Sequence, residues 1–396
     1  VGSTTPRIAF VSPHALRGGG GSARVFRMLM EHKPDTVECL HLFAGIWGWD
    51  DPIEPAWGER RFPLRPRFGR IERSRWGGLA AATTPLFAPS FRHRLERVLR
   101  EERITAVHAL PQGMDFWLAF EVAQRLNLPY YITYHDDPAY TLANRPEFAA
   151  VSRVMGRVWQ EAAGRLVISR QMGEQYCRRY GDRPYRIVTD GLDHVPTAPR
   201  LRPPDRLHVY FLGGIHTSYS PNFEALIDAL RRVRSRRPDL CVRLIVRGPG
   251  ALPRAAADWI EQRPFVPEAE ALRDLEAVDL LYLPLPFGDA FAPFTRLSLS
   301  TKMVSYLGTG LPILYHGPGD AAAAQTLGEG CLPVASLDPA TIADALLDTI
   351  DRPASTAGVV EAALALARRE FDATTLAKRF WDTLMTEPTT TTGCPL

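Results

Sequence analysis

Lysine is almost missing from this chain of 396 residues: Lys33, Lys302 and Lys378 stand against 44 arginines. With Ala and Pro abundant, that bias reads as the mark of a GC-rich bacterial genome rather than of a chemistry. Charge excess is missing too. A net charge of +3 gives no argument for a polyanionic partner. No apolar run approaches the ~20 residues that span a bilayer, and the first residues lack a secretory hydrophobic stretch. The five cysteines (Cys39, Cys177, Cys241, Cys331 and Cys394) are odd in number and share no short ligand spacing. That excludes a zinc knuckle and points to a reducing compartment. The expected location is the cytoplasm. Low-complexity sequence is confined to the end, where EPTTTTGCPL reads as a loose tail; the opening VGSTTP, without Met, reads as a cloning remnant.

What is present is alternation. The length exceeds one ordinary core and suits two domains. In the first half, β-type runs at 7–12, 36–43, 104–110, 128–135, 164–169 and 185–191 are interleaved with amphipathic segments. The Pro/Arg-rich stretch 196–206 interrupts them, and runs at 207–214, 242–250, 278–285, 311–319 and 331–336 resume the pattern. Strands separated by helices imply right-handed βαβ units and parallel sheets. The expected architecture is α/β, with two tandem Rossmann-like doubly wound domains facing across a cleft. They are placed at 1–195 and 207–372, joined by a linker at 196–206. A helix at 373–387, which crosses back toward the first domain, and a flexible tail at 388–396 follow. Ser220 and Pro221 suit the N-cap and first turn of a helix. The segment 45–100, rich in Pro, Trp and Arg, is expected to be an irregular insertion.

Two glycine-bearing turns invite chemistry. RGGGGSARVF (17–26) directly follows the first strand, so backbone N–H groups there can approach a phosphate or sugar. It is not a P-loop, because no Lys-Ser/Thr follows, and no acidic residue ends the second strand as a dinucleotide site requires. A plain tight turn is the alternative. SLSTKMVSYLGTGLPIL (298–314) offers hydroxyls at a helix start and places Lys302 at the positive end of the helix dipole. A flexible ammonium follows phosphate charge as a point, where arginine imposes a planar fork. A solvated first-turn lysine is the plain alternative. No G-x-S-x-G elbow supports a nucleophilic serine.

In order along the chain, GGGGSARV, VHAL (107–110), ITYHDD (132–137), LVISRQM (166–172), VTDGLD (188–193), FLGG (211–214), VRGPG (246–250) and STKMVSYLGTGLPIL (300–314) resemble the GT-B glycosyltransferases, closest to the retaining family 4 group. The resemblance implies transfer of a sugar from a nucleotide-diphosphate-sugar donor to a glycan or lipid-linked acceptor. It implies no further cofactor and no metal. By resemblance, Gly19 and Gly20 approach the diphosphate and sugar, and His135 bonds the transferred sugar near the reacting carbon. Gly214, Arg247, Gly248 and Phe265 lie toward the nucleotide; Ser300, Thr301 and Lys302 hold the diphosphate. Asp136 is a candidate base for the acceptor hydroxyl, or simply part of a turn, and His108 is either catalytic or a buried core histidine. The chain departs from the family where paired glutamates are usual: Leu297 and Ser305 stand there, with Arg296 a neighbouring source of charge and Ser305 able to bond a ribose. A sugar-nucleotide epimerase and a weakly active nucleotide-sugar-binding subunit are the alternative readings. The basic, aromatic segment 45–100 reads either as a peripheral contact with the inner face of an anionic membrane or as a glycan- or protein-facing loop. Nucleic acid is not expected.

Overall fold

The computed structural model describes residues 5–45, 50–141, 148–200, 205–253, 257–266 and 268–386. Trp47, Trp49, part of the 196–206 linker and the 388–396 tail lie outside the described residues. The chain divides into two compact units. One comprises Val1–Gly191, Leu297–Leu299 and Ala373–Leu396; the other comprises Leu192–Arg296 and Ser300–Asp372.

The first unit is built on seven strands: β1 (Arg7–Ser12), β2 (Glu38–Phe43), β3 (Glu59–Arg61), β4 (Ala106–Ala109), β5 (Tyr130–Tyr134), β6 (Gly164–Val167) and β7 (Arg186–Ile187). They pair in the order β3-β2-β1-β4-β5-β6-β7, all parallel. Because β2 and β3 extend to one side of β1 and β4 onward to the other, the winding reverses between β1 and β4. In doubly wound sheets the carboxyl ends at such a reversal are where ligands bind. The strands are short apolar runs buried on both faces, as parallel sheets demand. Helix Ala373–Met385 completes this unit: Phe380 and Trp381 pack on Phe10 of β1 with ring centroids 6.3 and 5.9 Å away, and Trp381 Nε1 donates to the Leu29 carbonyl at 2.9 Å. Gly191 is needed where that helix begins, because a Cβ there would lie 2.7 Å from Ala373 Cα.

The second unit holds β8 (Arg206–Leu212), β9 (Cys241–Arg247), β10 (Ile260–Arg263), β11 (Leu280–Pro284), β12 (Ile313–His316) and β13 (Leu332–Val334). Their order, β10-β9-β8-β11-β12-β13, is again all parallel, with its reversal between β8 and β11. Helix Ser220–Arg236 buries Phe223, Leu226, Ile227, Leu230 and Val233, the 3–4 spacing of one helical face. Behind it a buried latch forms. His316 Nε2 lies 2.8 Å from the Ser336 carbonyl, which only accepts, so neutral His316 must receive the Tyr282 hydroxyl proton on Nδ1 at 2.7 Å. Burial pushes the His316 imidazole down to about 4, which keeps it neutral.

Some expectations need correction. The segment 45–100 is not irregular throughout. It contains β3 and the helix Ala88–Glu101, which buries Ala88, Phe91, Leu95 and Leu99. Arginines between these apolar positions hid the helical period. β10 was also missed, because an edge strand reading IEQR has one apolar residue and needs no more. Ser220 is the first helical residue rather than the cap: the cap position belongs to Tyr219, after a single 3-10 turn at Thr217–Tyr219 that His216 caps.

Candidate functional site

In the first unit the turn after β1 is fixed from below and open above. Arg27 Nη1 donates to the carbonyls of Leu16 and Gly18 at 2.9 and 3.1 Å, and Glu59 accepts the Leu16 N–H at 2.6 Å. Burial alone would raise the Glu59 carboxyl. The hydrogen bond and charge of His41, with the N–H groups of Leu16 and Glu54, outweigh it and hold the group below the usual carboxylate range. Gly18 is packed, since a Cβ would meet Asp51 Oδ2 at 2.8 Å, whereas one on Gly19 or Gly20 would meet nothing within 4 Å. Gly20 adopts φ +106° and is the N-cap of helix Gly21–Glu31. Its first-turn N–H groups have no acceptor within the helix. A rigid turn therefore presents bare backbone donors at the β1/β4 reversal.

A polar chain runs beside it. His14 Nε2 meets Gln112 Oε1 at 2.5 Å, and the Gln112 amide donates to Ser22 Oγ at 3.2 Å and to Asp136 Oδ2 at 3.4 Å. Ser298 Oγ donates to Asp136 Oδ1 at 3.0 Å. Burial raises the Asp136 carboxyl against the lowering effect of the bonds from Ser298 and Gln112. Asp137 turns the other way, accepting from Tyr176 at 3.1 Å and Arg179 at 3.0 Å, so it straps β5 to helix Arg170–Tyr180. Just before them in sequence, His135 is only 3% exposed, and among the described residues neither ring nitrogen has a partner. An unmet buried imidazole costs roughly 1–3 kcal/mol, so the position carries a cost that a bound hydrogen-bonding group would remove. Burial, helped by His14, pushes its pKa down to about 3; it meets any ligand as neutral imidazole. His108 does not join this surface. It bonds Thr133 Oγ1 at 2.7 Å inside an aromatic shell of Phe10, Phe26 and Phe380, the geometry of a core histidine.

In the second unit Lys302 is the second residue of helix Thr301–Leu307, which lies between β11 and β12. Its ammonium lies 3.8 Å from the ring centroid of Phe211, on β8, and 5.6 Å from that of Tyr219. Gly213, at φ +126°, makes the room: a Cβ there would approach Lys302 Cε to 3.0 Å and Nζ to 3.2 Å. Gly248, at φ +141°, is required for a similar reason, since a Cβ would strike the Gly213 carbonyl oxygen at 2.3 Å. Among the described residues no carboxylate forms an ion pair with Lys302. Desolvation pushes its pKa down to about 7. A lysine at the β8/β11 reversal, seated on an aromatic face and without a counter-ion, is arranged to receive an anion.

The remaining candidates separate. Ser300 occupies the N-cap without a side-chain capping bond, and Ser305 donates back to the Thr301 carbonyl at 3.2 Å. A Cβ on Gly214 would meet only Pro249 Cγ, at 3.8 Å. The Arg247 guanidinium is already engaged: it pairs with Asp274, donates to the Pro264 carbonyl at 3.0 Å, and shares Asp274 with Arg263 and Tyr210. Its carbonyl is engaged as well, accepting the Gly213 N–H at 2.8 Å. Phe265 is 70% exposed. Arg296 pairs with Asp320 at 2.6 Å on the surface. Leu297 is buried, and its carbonyl accepts from the Ser169 hydroxyl at 2.5 Å. The sequence reading missed His14, Gln112 and Ser298; the first two were detectable only as polar residues in loops that follow β1 and β4. Among the described residues no three His, Cys, Asp or Glu side chains gather as a metal site would need.

Residues 19–195 match the family described as Glycosyltransferase Family 4. No curated protein matches the sequence significantly. Among solved structures, sucrose-phosphate synthase from Thermosynechococcus elongatus aligns with a TM-score of 0.64 at 16% identity, over 95% of this chain and 98% of that one. Anabaena HepE in complex with UDP and glucose aligns at 0.63 and 15%, over 96% and 99%. A UDP-forming α,α-trehalose-phosphate synthase from Burkholderia xenovorans gives 0.64 at 12%, over 97% and 100%. At such identities the likeness shows a shared fold.

Proposed function

We propose a donor and an acceptor for this glycosyltransferase, whose residues 19–195 form a family 4 domain and whose two parallel-sheet units have the GT-B fold. The donor is a nucleotide-diphosphate sugar of hexose type, and the acceptor is a glycan or glycolipid. The observation that carries the reading is Lys302, an ammonium on the Phe211 ring with no counter-ion among the described residues. A diphosphate gains negative charge as its bond to the sugar breaks, and a fixed cation stabilises that leaving group. His135 bonds a sugar hydroxyl as neutral imidazole, Asp136 takes the acceptor proton, and Gly19 and Gly20 offer backbone N–H groups to the donor. The family resemblance adds retention at the anomeric carbon and independence of metal. The UDP and glucose found with HepE support a uridine donor as the first to try.

The test is a thermal-shift panel of UDP, GDP, ADP, TDP and their sugars, because a ligand that binds the folded state raises its apparent stability. One nucleotide should raise the melting temperature of the wild type and leave Lys302→Met unmoved; no shift with any of them overturns the reading. A second reading, a subunit that binds nucleotide sugar with little turnover, draws on Ser305 and Leu297. The hydroxyl of Ser305 is tied to its own helix, and Leu297 buries an apolar side chain. Saturable binding without transfer or hydrolysis selects it. A new epimer formed from donor alone selects epimerisation instead.

A further inference from the structure

Apolar surface is unevenly distributed over this protein. Among the described residues eight large hydrophobic side chains are exposed, and five of them (Phe68, Ile71, Trp76, Leu79 and Leu86) fall within one short stretch of the first unit. That concentration marks a surface rather than the scatter expected of single exposed side chains. The stretch is built of three short pieces in contact: the turn Gly69–Arg73, the helix Gly77–Ala82 and the turn Thr84–Phe87. Charge is concentrated on the same piece of chain. Residues 60–86 contain seven arginines (60, 61, 65, 67, 70, 73 and 75) and one acidic residue, Glu72, a local balance of +6 in a protein whose total is +3. Arg75 lies over the Trp76 ring at 5.1 Å and is exposed with it, as is Arg70. Three of the arginines are not part of the display: Arg65 is buried, 5.3 Å from the Phe68 ring, Arg60 pairs with Glu102 at 2.6 Å, and Arg67 pairs with Asp50 at 3.3 Å.

We propose that this stretch is a peripheral docking surface for an anionic lipid bilayer. Interface-lying segments combine an apolar set that enters the acyl boundary with arginines that meet lipid phosphates, and a Trp suits the headgroup level. Charge complementarity decides between occupants. A nucleic acid would gain from the arginines but nothing from Ile71, Leu79 and Leu86. A second copy of this chain would set two arginine-bearing surfaces against one another. No helix among the described residues is long and apolar enough to cross a membrane, so the contact is one of lying on the surface. The inference does not rest on the reaction proposed above.

The test is co-sedimentation of the full chain with vesicles of phosphatidylcholine alone and of phosphatidylcholine with phosphatidylglycerol, at low and high salt. Binding is expected only to the anionic vesicles and should weaken with salt. Leu79→Ser/Leu86→Ser and Arg70→Glu/Arg75→Glu should each lower the partition coefficient on the order of tenfold or more. Their melting temperatures should not change, since all four side chains are exposed. Absence of anionic-vesicle binding by the wild type overturns the proposal. So does equal binding by the folded variants, or a loss on mutation of self-association or of oligonucleotide binding instead of vesicle binding.

Discussion

Replacing Lys302 by Met keeps the length and apolar stem of the side chain and removes only the ammonium. An ammonium about 4 Å from a phosphate oxygen, at the effective dielectric of a protein site, contributes on the order of 4 kcal/mol. At about 1.4 kcal/mol per tenfold, nucleoside diphosphate affinity should fall by about three orders of magnitude at most, less whatever solvent screens at this partly buried side chain. The pH dependence is the sharper test. In the free protein the pKa is lowered to about 7 by desolvation, and a bound diphosphate raises it. Above neutrality the free form has lost a proton that the bound form keeps, so binding takes up protons. Affinity should then fall with rising pH, approaching about tenfold per unit. Calorimetry of nucleotide binding in buffers of differing ionisation enthalpy measures that uptake directly. The wild type should take up about half a proton at neutral pH and nearly a whole one at mildly alkaline pH, and Lys302→Met should take up none from this site. Stability should move the opposite way. A base whose folded pKa is lowered opposes folding wherever the unfolded chain holds the proton, in full below about pH 7 and not at all above the unfolded value. The Met variant should be at least as stable as the wild type at neutral pH. Equal proton uptake and equal affinity in the two proteins would refute the diphosphate role.

Three further outcomes are expected. His135→Ala should lower turnover about a hundredfold or more in a transfer assay while keeping or raising the melting temperature, because it removes an imidazole with two unpartnered buried nitrogens. Trp381→Ala should destabilise by about 3–5 kcal/mol in urea unfolding, from the lost packing of a fully buried indole on Phe10 and the lost bond to Leu29. Glu59, whose folded pKa is lowered, stabilises the fold above its unfolded value of about 4.5 and loses that contribution as pH falls through the folded one. Glu59→Gln should cost roughly 1–3 kcal/mol at neutral pH and flatten the acid limb of the stability profile.

Where each β-α turn falls could be read from the sequence because local patterns set it: an apolar run that ends in glycine or serine and yields to helical spacing. β3, β10 and the helix Ala88–Glu101 escaped, the two strands being short edge pieces and the helix being written largely in arginine. The site divided along the same line. Lys302, Gly19 and Gly20 were visible because position in a turn is local. Partners were not. The Arg247 guanidinium is committed to Asp274, 27 residues on, a pairing that its place at a strand end does not announce. Asp136 and Asp137 look equivalent in YHDD, yet one joins Gln112 and Ser298 and the other Tyr176 and Arg179. Both lie in the connection that follows β5, and which of the two carries the chemistry is decided by elements far away in sequence.

The same distinction explains why a chain so rich in arginine keeps a lysine at 302. The space beside Gly213 admits a narrow stem, with a hypothetical Cβ already within 3.0 Å of Lys302 Cε. A guanidinium would bring a planar fork of five donors into that space and could not shed its charge. On an apolar ring with no carboxylate paired to it among the described residues, a permanent cation would oppose folding whenever the nucleotide was absent. An ammonium with a pKa of about 7 escapes by giving up its proton, and recovers it when an anion arrives. Lys302→Arg should therefore fail to restore binding even though it restores the formal charge, an outcome that a simple requirement for positive potential would not produce.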